Sequence, residues 1–88
     1  VKGLEKLTKL EYLGLSDNQL TDVKSLEKLT NLKELWLDRN RLTDVKGLEK
    51  LAQLTKLDLE HNPALTKAQI DQLKKALPKC SISSNPTN

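Results

Sequence analysis

Leucine marks the chain at fixed intervals, and the residues between the leucines are mostly polar. Leu7 to Lys28 reads LTKLEYLGLSDNQLTDVKSLEK and Leu29 to Lys50 reads LTNLKELWLDRNRLTDVKGLEK, a period of 22 with 14 of 22 positions identical. A third unit opens at Leu51 with LAQLTKLDLEHN and then changes. Val1 to Lys6 matches Val45 to Lys50 letter for letter, so the chain opens part-way through a repeat. Within each unit one pair alternates apolar and polar in the manner of a half-buried strand: Leu13-x-Leu15, Leu35-x-Leu37 and Leu57-x-Leu59. One strand per unit, stacked in register, predicts a short parallel sheet with its leucines facing inward. Val23, Leu26, Val45 and Leu48 then recur three apart, which suits a single helical turn on the far side. About a dozen residues separate successive strands, too few for full helices there.

Asn18, Asn40 and Asn62 follow the strand leucines at a constant offset. A buried amide carries both donors and an acceptor, so these side chains are expected to satisfy backbone groups at the bend, in their own repeat and in its neighbour. After Asn62 the pattern breaks into PALTKAQIDQLKKALPKCSIS. Thr66 followed by Gln69 forms a capping-box signature. Ile70, Leu73 and Leu77 keep helical spacing up to Pro78, which predicts a helix over 67–77. That helix, bearing Lys67, Gln72, Lys74 and Lys75, supplies the polar cover that a solenoid end needs. Cys80-x-Ile82, placed 23 residues after Leu57-x-Leu59, reads as a fourth strand, with Cys80 aligned to Leu57 as a small core residue. The expected organisation is one domain: a partial repeat over 1–6, repeats over 7–28 and 29–50, a terminal capping repeat over 51–82, and a polar tail over 83–88.

The template Leu-x-x-Leu-x-x-Leu-x-Leu-x-x-Asn-x-Leu resembles the leucine-rich repeat family, over roughly residues 1 to 82. The following Thr-Asp-Val and the 22-residue length resemble its short class, found in bacterial internalins, and the Leu-Pro-Lys-Cys-x-Ile ending is similar to the closing repeat of some bacterial leucine-rich proteins. The resemblance implies an α/β leucine-rich-repeat solenoid, with short parallel strands on a concave face, helical turns on a convex face and a C-terminal capping helix. It also implies a bacterial surface or secreted placement, with an intracellular scaffold as the other option. The chain shows no cover at its N-terminal end. Further repeats before Val1, or self-association through that bare end, are therefore expected.

Composition sharpens this reading. Of 88 residues 36% are apolar, and 20 of those 32 are leucine, with no phenylalanine or methionine; such monotony belongs to one packing solution used repeatedly. No apolar run approaches the 18 residues of a membrane span. The single cysteine permits no internal disulfide.

Repeats one and two differ at eight aligned positions, and six of these fall between 11 and 19 in the first unit, 33 and 41 in the second. Those are the outward strand positions and the turn beside them. The scaffold is copied almost verbatim while one surface is rewritten, which points to recognition of a protein or peptide there. Tyr12 and Trp36, the two aromatics of the chain, lie on that surface, close enough across strands about 4.8 Å apart to share a patch. Arg39 and Arg41 sit just beyond Trp36, with Glu34, Asp38, Lys56, Asp58, Glu60 and His61 around them, and Glu11 and Lys33 at the edge. An aromatic centre with a charged rim suits a protein-binding face.

Other functions are weighed on the same residues. The outward set, including Asp17, holds four Lys/Arg against six Asp/Glu, so the net charge of +3 is not gathered into a stripe for nucleic acid. Asp38 and Glu60 occupy equivalent positions on adjacent strands and could approach to roughly the retaining-glycosidase separation of about 5 Å. An open sheet, however, offers no evident pocket to desolvate one of them, and no enzyme is expected. No Ser-His-Asp set, metal cluster or glycine-rich phosphate loop is visible, and no cofactor is expected. Carbohydrate binding stays open, because Trp36 and Tyr12 are residue types that stack on sugar rings, as does a purely structural scaffold.

Overall fold

The structure, a computed structural model, describes residues 6–84. Most of the partial repeat at the start and the last four residues of the tail lie outside the described residues. Four strands, β1 (Tyr12–Gly14), β2 (Glu34–Trp36), β3 (Lys56–Asp58) and β4 (Ser81–Ser83), form one parallel sheet in sequence order. Leu13 pairs with Leu35 and Leu35 with Leu57, the 22-residue register of the sequence. Backbone bonding continues past the strand ends in the same step. Leu15 N donates to Trp36 O at 2.8 Å, Leu37 N to Asp58 O at 2.9 Å and Leu59 N to Ser83 O at 2.7 Å.

The connections are tight 3-10 turns at Lys24–Leu26 and Lys46–Lys50. Each is opened by the aspartate of the repeated Thr-Asp-Val. Asp22 Oδ1 accepts from Lys24 N at 3.1 Å and Asp44 Oδ1 from Lys46 N at 2.9 Å, the local side-chain-to-backbone bonding that favours a turn over a longer helix. The turns bury Leu26 and Leu48, and Val23 and Val45 beside them are also buried. These side chains face the strand leucines Leu35, Leu37, Leu57 and Leu59 in a core one layer deep, which matches a smallest molecular extent of 16 Å.

Burial follows position in the stack. Leu35, Leu37 and Leu42 of the second unit are fully buried, with a repeat on either side. Their counterparts Leu13, Leu15 and Leu20 are half-exposed, and Leu7 is 50% exposed. Among the described residues β1 is the first strand of the sheet, and these leucines give it a partly exposed apolar flank.

Asn40 and Asn62 do what the recurrence of the asparagines predicts, whereas Asn18, in the first unit, does not reach a neighbouring repeat. Asn40 Nδ2 donates to Leu37 O of its own repeat and Leu15 O of the preceding one, both at 3.0 Å, while its Oδ1 accepts from Leu20 N at 3.1 Å. Asn62 repeats the set one unit later, donating to Leu59 O and Leu37 O and accepting from Leu42 N. Each bond set ties two repeats together at the bend where the strand turns away. Asn18 is exposed, and its amide donates within its own repeat, to Leu15 O and Ser16 O.

The helix α1 spans Lys67–Ala76, with Leu77 as its C-cap. Both halves of the capping box are present, Thr66 Oγ1 accepting from Gln69 N at 3.2 Å and Gln69 Oε1 from Thr66 N at 2.9 Å. Ile70, Leu73 and Leu77 are buried. Gln69 Nε2 donates to Thr43 O at 2.9 Å and so fastens the helix to the preceding repeat.

One expectation about the last unit is corrected. Ile82, not Cys80, pairs with Leu57, so β4 follows β3 after 25 residues rather than 23. A ten-residue helix replaces a short 3-10 turn, and its extra chain shifts the strand by three residues relative to the regular period. Cys80 therefore precedes β4, half-buried and packed against the core edge. Its burial raises the thiol above the ordinary range, so the thiolate is disfavoured there.

Candidate functional site

The register arranges the outward side chains in rows across the sheet. Tyr12, Glu34, Lys56 and Ser81 form one row, and Gly14, Trp36, Asp58 and Ser83 the next. The alternation continues to a third row, Ser16, Asp38 and Glu60, in which Ser16 Oγ donates to Asp38 Oδ1. Trp36 therefore stands with Glu34 on its own strand and Asp38 just past the strand end, Asp58 on one flank and Gly14 on the other. Side chains on the opposite face of these strands fill the leucine core, which holds the rows in place.

The two aromatics sit on this face, as expected, but not opposite one another. Tyr12 faces Glu34, and Trp36 faces Gly14. They are diagonal neighbours, for which typical separations are about 7–8 Å, still within reach of aromatic side chains. Tyr12 is 59% exposed and Trp36 half-buried. Lys56, from the adjacent strand, places its Nζ over the indole ring at 5.7 Å from the centroid, within cation–π range. Asp58 Oδ1 accepts from Glu60 N at 3.0 Å, which orients that carboxylate toward the third row.

Arg39, Arg41 and His61 belong to a different place. They lie beyond the strand ends, where Asp17, Asn18, Gln19, Arg39, Asn40, Arg41 and His61 line a shallow depression on the rim. Asp17, Arg39 and His61 take the same position in successive repeats, and all three are left-handed, with φ of 59°, 59° and 61°. The backbone must reverse here so that the following asparagine can turn inward. Aspartate and histidine are residue types enriched in this conformation, and arginine is not. Replacing Arg39 by asparagine is expected to stabilise the fold by about 0.5–1 kcal/mol, or roughly 2–8 °C in Tm for a chain of this size. The lost ion pair to Asp17, 3.8 Å long and well exposed, subtracts little. A thermal melt that shows no gain for Arg39→Asn removes the idea that Arg39 is held against its backbone preference.

The other edge of the face is neutral in balance, since Lys33 and Glu11 pair at 3.5 Å. Reading the sequence singled out every charged residue around Trp36 but passed over Gly14 and Ser16. The signal for both was their place in the 22-residue alignment, opposite Trp36 and Asp38.

A parallel sheet with one strand per 22-residue unit, an inward leucine ladder and an asparagine ladder at the bend defines a repeat solenoid. The chain belongs to the leucine-rich repeat family: a family model for leucine-rich repeats in two copies matches residues 8–49 and 30–75. No curated protein matches it. Repeats of this family typically mediate protein binding and are in general non-catalytic scaffolds. No helix among the described residues is long and apolar enough to cross a membrane.

Proposed function

We propose that the strand face is a recognition surface for a protein or peptide, with Trp36 at its centre. The observation that carries this reading is the placement of the differences between repeats one and two. The inward leucines, the asparagines and the Thr-Asp-Val turns are repeated unchanged, while Tyr12/Glu34, Gly14/Trp36 and Ser16/Asp38 differ pair by pair along three adjacent rows. A sequence selected for folding alone has no reason to concentrate its changes, six of eight, on the outward strand positions and the turn beside them.

The mechanism is rigid presentation. Each outward side chain stands on a strand locked by cross-repeat backbone bonds and a leucine core, so little ordering entropy is lost when a partner docks. Trp36 provides the apolar centre, Tyr12 a second ring, and Glu34, Asp38, Lys56, Asp58 and Glu60 the charged surround. Arg39, Arg41 and His61 form a separate rim that a larger partner also meets.

The test compares partner capture by the wild type, Trp36→Ala and an Arg39→Ala/Arg41→Ala pair. Truncating a central aromatic commonly costs about 2 kcal/mol or more, so roughly thirty-fold weaker capture is expected for Trp36→Ala. A smaller loss is expected from the rim pair. Equal capture by wild type and Trp36→Ala removes the strand face as the site.

A further inference from the structure

Resting on the strand face as the recognition surface, we propose that the notch above Gly14, bordered by Tyr12 and Trp36, receives the cationic side chain of a basic, arginine-bearing segment of the partner. Three independent observations converge on that occupant: the shape of the face, the ring chemistry and the charge.

The row containing Trp36 has a gap. Its positions hold Trp36, Asp58 and Ser83 in the second, third and fourth strands, and glycine in the first. A Cβ placed on Gly14 meets nothing within 4 Å, so no neighbouring side chain has leaned in to fill the space. Tyr12 stands two residues before Gly14 on the same strand and Trp36 directly across from it, so the gap has an aromatic residue on two sides. Ser16 and Asp38, hydrogen-bonded to each other, stand two residues farther along, just past the ends of the same two strands.

The indole already attracts a cation. Lys56 reaches it from β3 at 5.7 Å, and on the other flank of Trp36 β1 carries Gly14, which has no side chain to cover the ring. Tryptophan is the strongest cation–π partner among side chains, and a planar guanidinium adds stacking and a fork that fits a carboxylate.

Charge separates this occupant from the alternatives. The three rows hold Glu34, Asp38, Asp58 and Glu60 against Lys56, a local charge of −3 on a chain whose net charge is +3. Of the bordering cations, Lys33 pairs with Glu11 and Arg39 with Asp17, while Arg41 lies beyond the strand ends on the separate rim. A basic segment is therefore drawn to this face and repelled by much of the remaining surface, and that contrast orients docking. An acidic segment meets the reverse.

Trp36 is the only tryptophan, so its fluorescence reports on the notch directly. The experiment titrates the whole chain with octa-arginine, octa-lysine and octa-glutamate at low ionic strength, and repeats the octa-arginine titration on Gly14→Leu, which fills the gap, and on Asp38→Asn, which removes a neighbouring charge. Both positions lie outside the leucine core, and circular dichroism verifies that each variant is folded. The expected result is a saturable change in emission with octa-arginine, weaker with octa-lysine and absent with octa-glutamate. At least five-fold weaker octa-arginine binding is expected for each variant, with attenuation by added salt. An unchanged emission with octa-arginine, equal binding by Gly14→Leu and wild type, or an equal response to octa-glutamate overturns the proposal. Those results leave the recognition surface standing if Trp36→Ala still weakens partner capture as expected above, and the two readings fail separately.

Discussion

Replacing Asn62 by alanine is expected to lower the unfolding free energy by about 3–5 kcal/mol, a large share of the roughly 4–13 kcal/mol total usual for this length. The side chain is fully buried and bonded at both ends: its Oδ1 accepts from Leu42 N, and its Nδ2 donates to Leu37 O, Leu59 O and Glu60 O. Alanine supplies neither donor nor acceptor, and no water reaches a position with no exposed surface. Each buried polar group left unmade costs about 1–3 kcal/mol, and at least two are orphaned at once. Asn18→Ala provides the internal reference. Asn18 is exposed, its bonds stay within one repeat, and water can replace them. Its loss is expected to stay below about 1 kcal/mol. Urea denaturation of the two variants checks the contrast; equal losses would show that the bend is not held by the cross-repeat bonds.

The second large effect is a cavity. Leu35→Ala is expected to cost about 3–4 kcal/mol, within the range of roughly 2–5 kcal/mol for truncating a fully buried leucine. Leu35 sits between Leu13 and Leu57 in the ladder and has no exposed surface. The repeats above and below are held by their own backbone bonds, so neither can collapse far into the void. Leu13→Ala removes the same atoms from the half-exposed end of the same ladder, where part of the side chain is already in water. A loss of about half that size is expected there. Denaturation midpoints for the pair measure the difference, and the graded burial account fails if Leu13→Ala is the more damaging change.

Much of this architecture could be read from spacing because the interior is periodic. Leu-x-Leu at 22-residue steps dictates which strand residues point inward, and the asparagines mark the bend by chemistry that a buried backbone requires. The capping box identified α1 for a similar reason, since two residues three apart each need what the other offers. Sequence reading failed where a length had to be converted into a path. The β3–β4 offset depends on how many residues a helix consumes compared with a 3-10 turn, and that is decided by how Ile70, Leu73 and Leu77 pack. The sequence also leaves open how Tyr12 and Trp36 share the face: both are outward, and two residues of offset along the strand make them diagonal. The left-handed backbone at position 39 was hidden by its own residue, because arginine gives no hint of a conformation that Asp17 and His61 at least permit.

The row-by-row register also has a consequence for how such a surface grows. Duplicating one 22-residue unit inserts a single new rung, bringing its own asparagine, leucines and turn, and leaves the helix-covered terminus untouched. The new rung widens the reading face by about 4.8 Å and adds three freely variable letters to it. Ligand preference in this architecture can therefore be lengthened like a ruler, one graduation at a time, without renegotiating the interior.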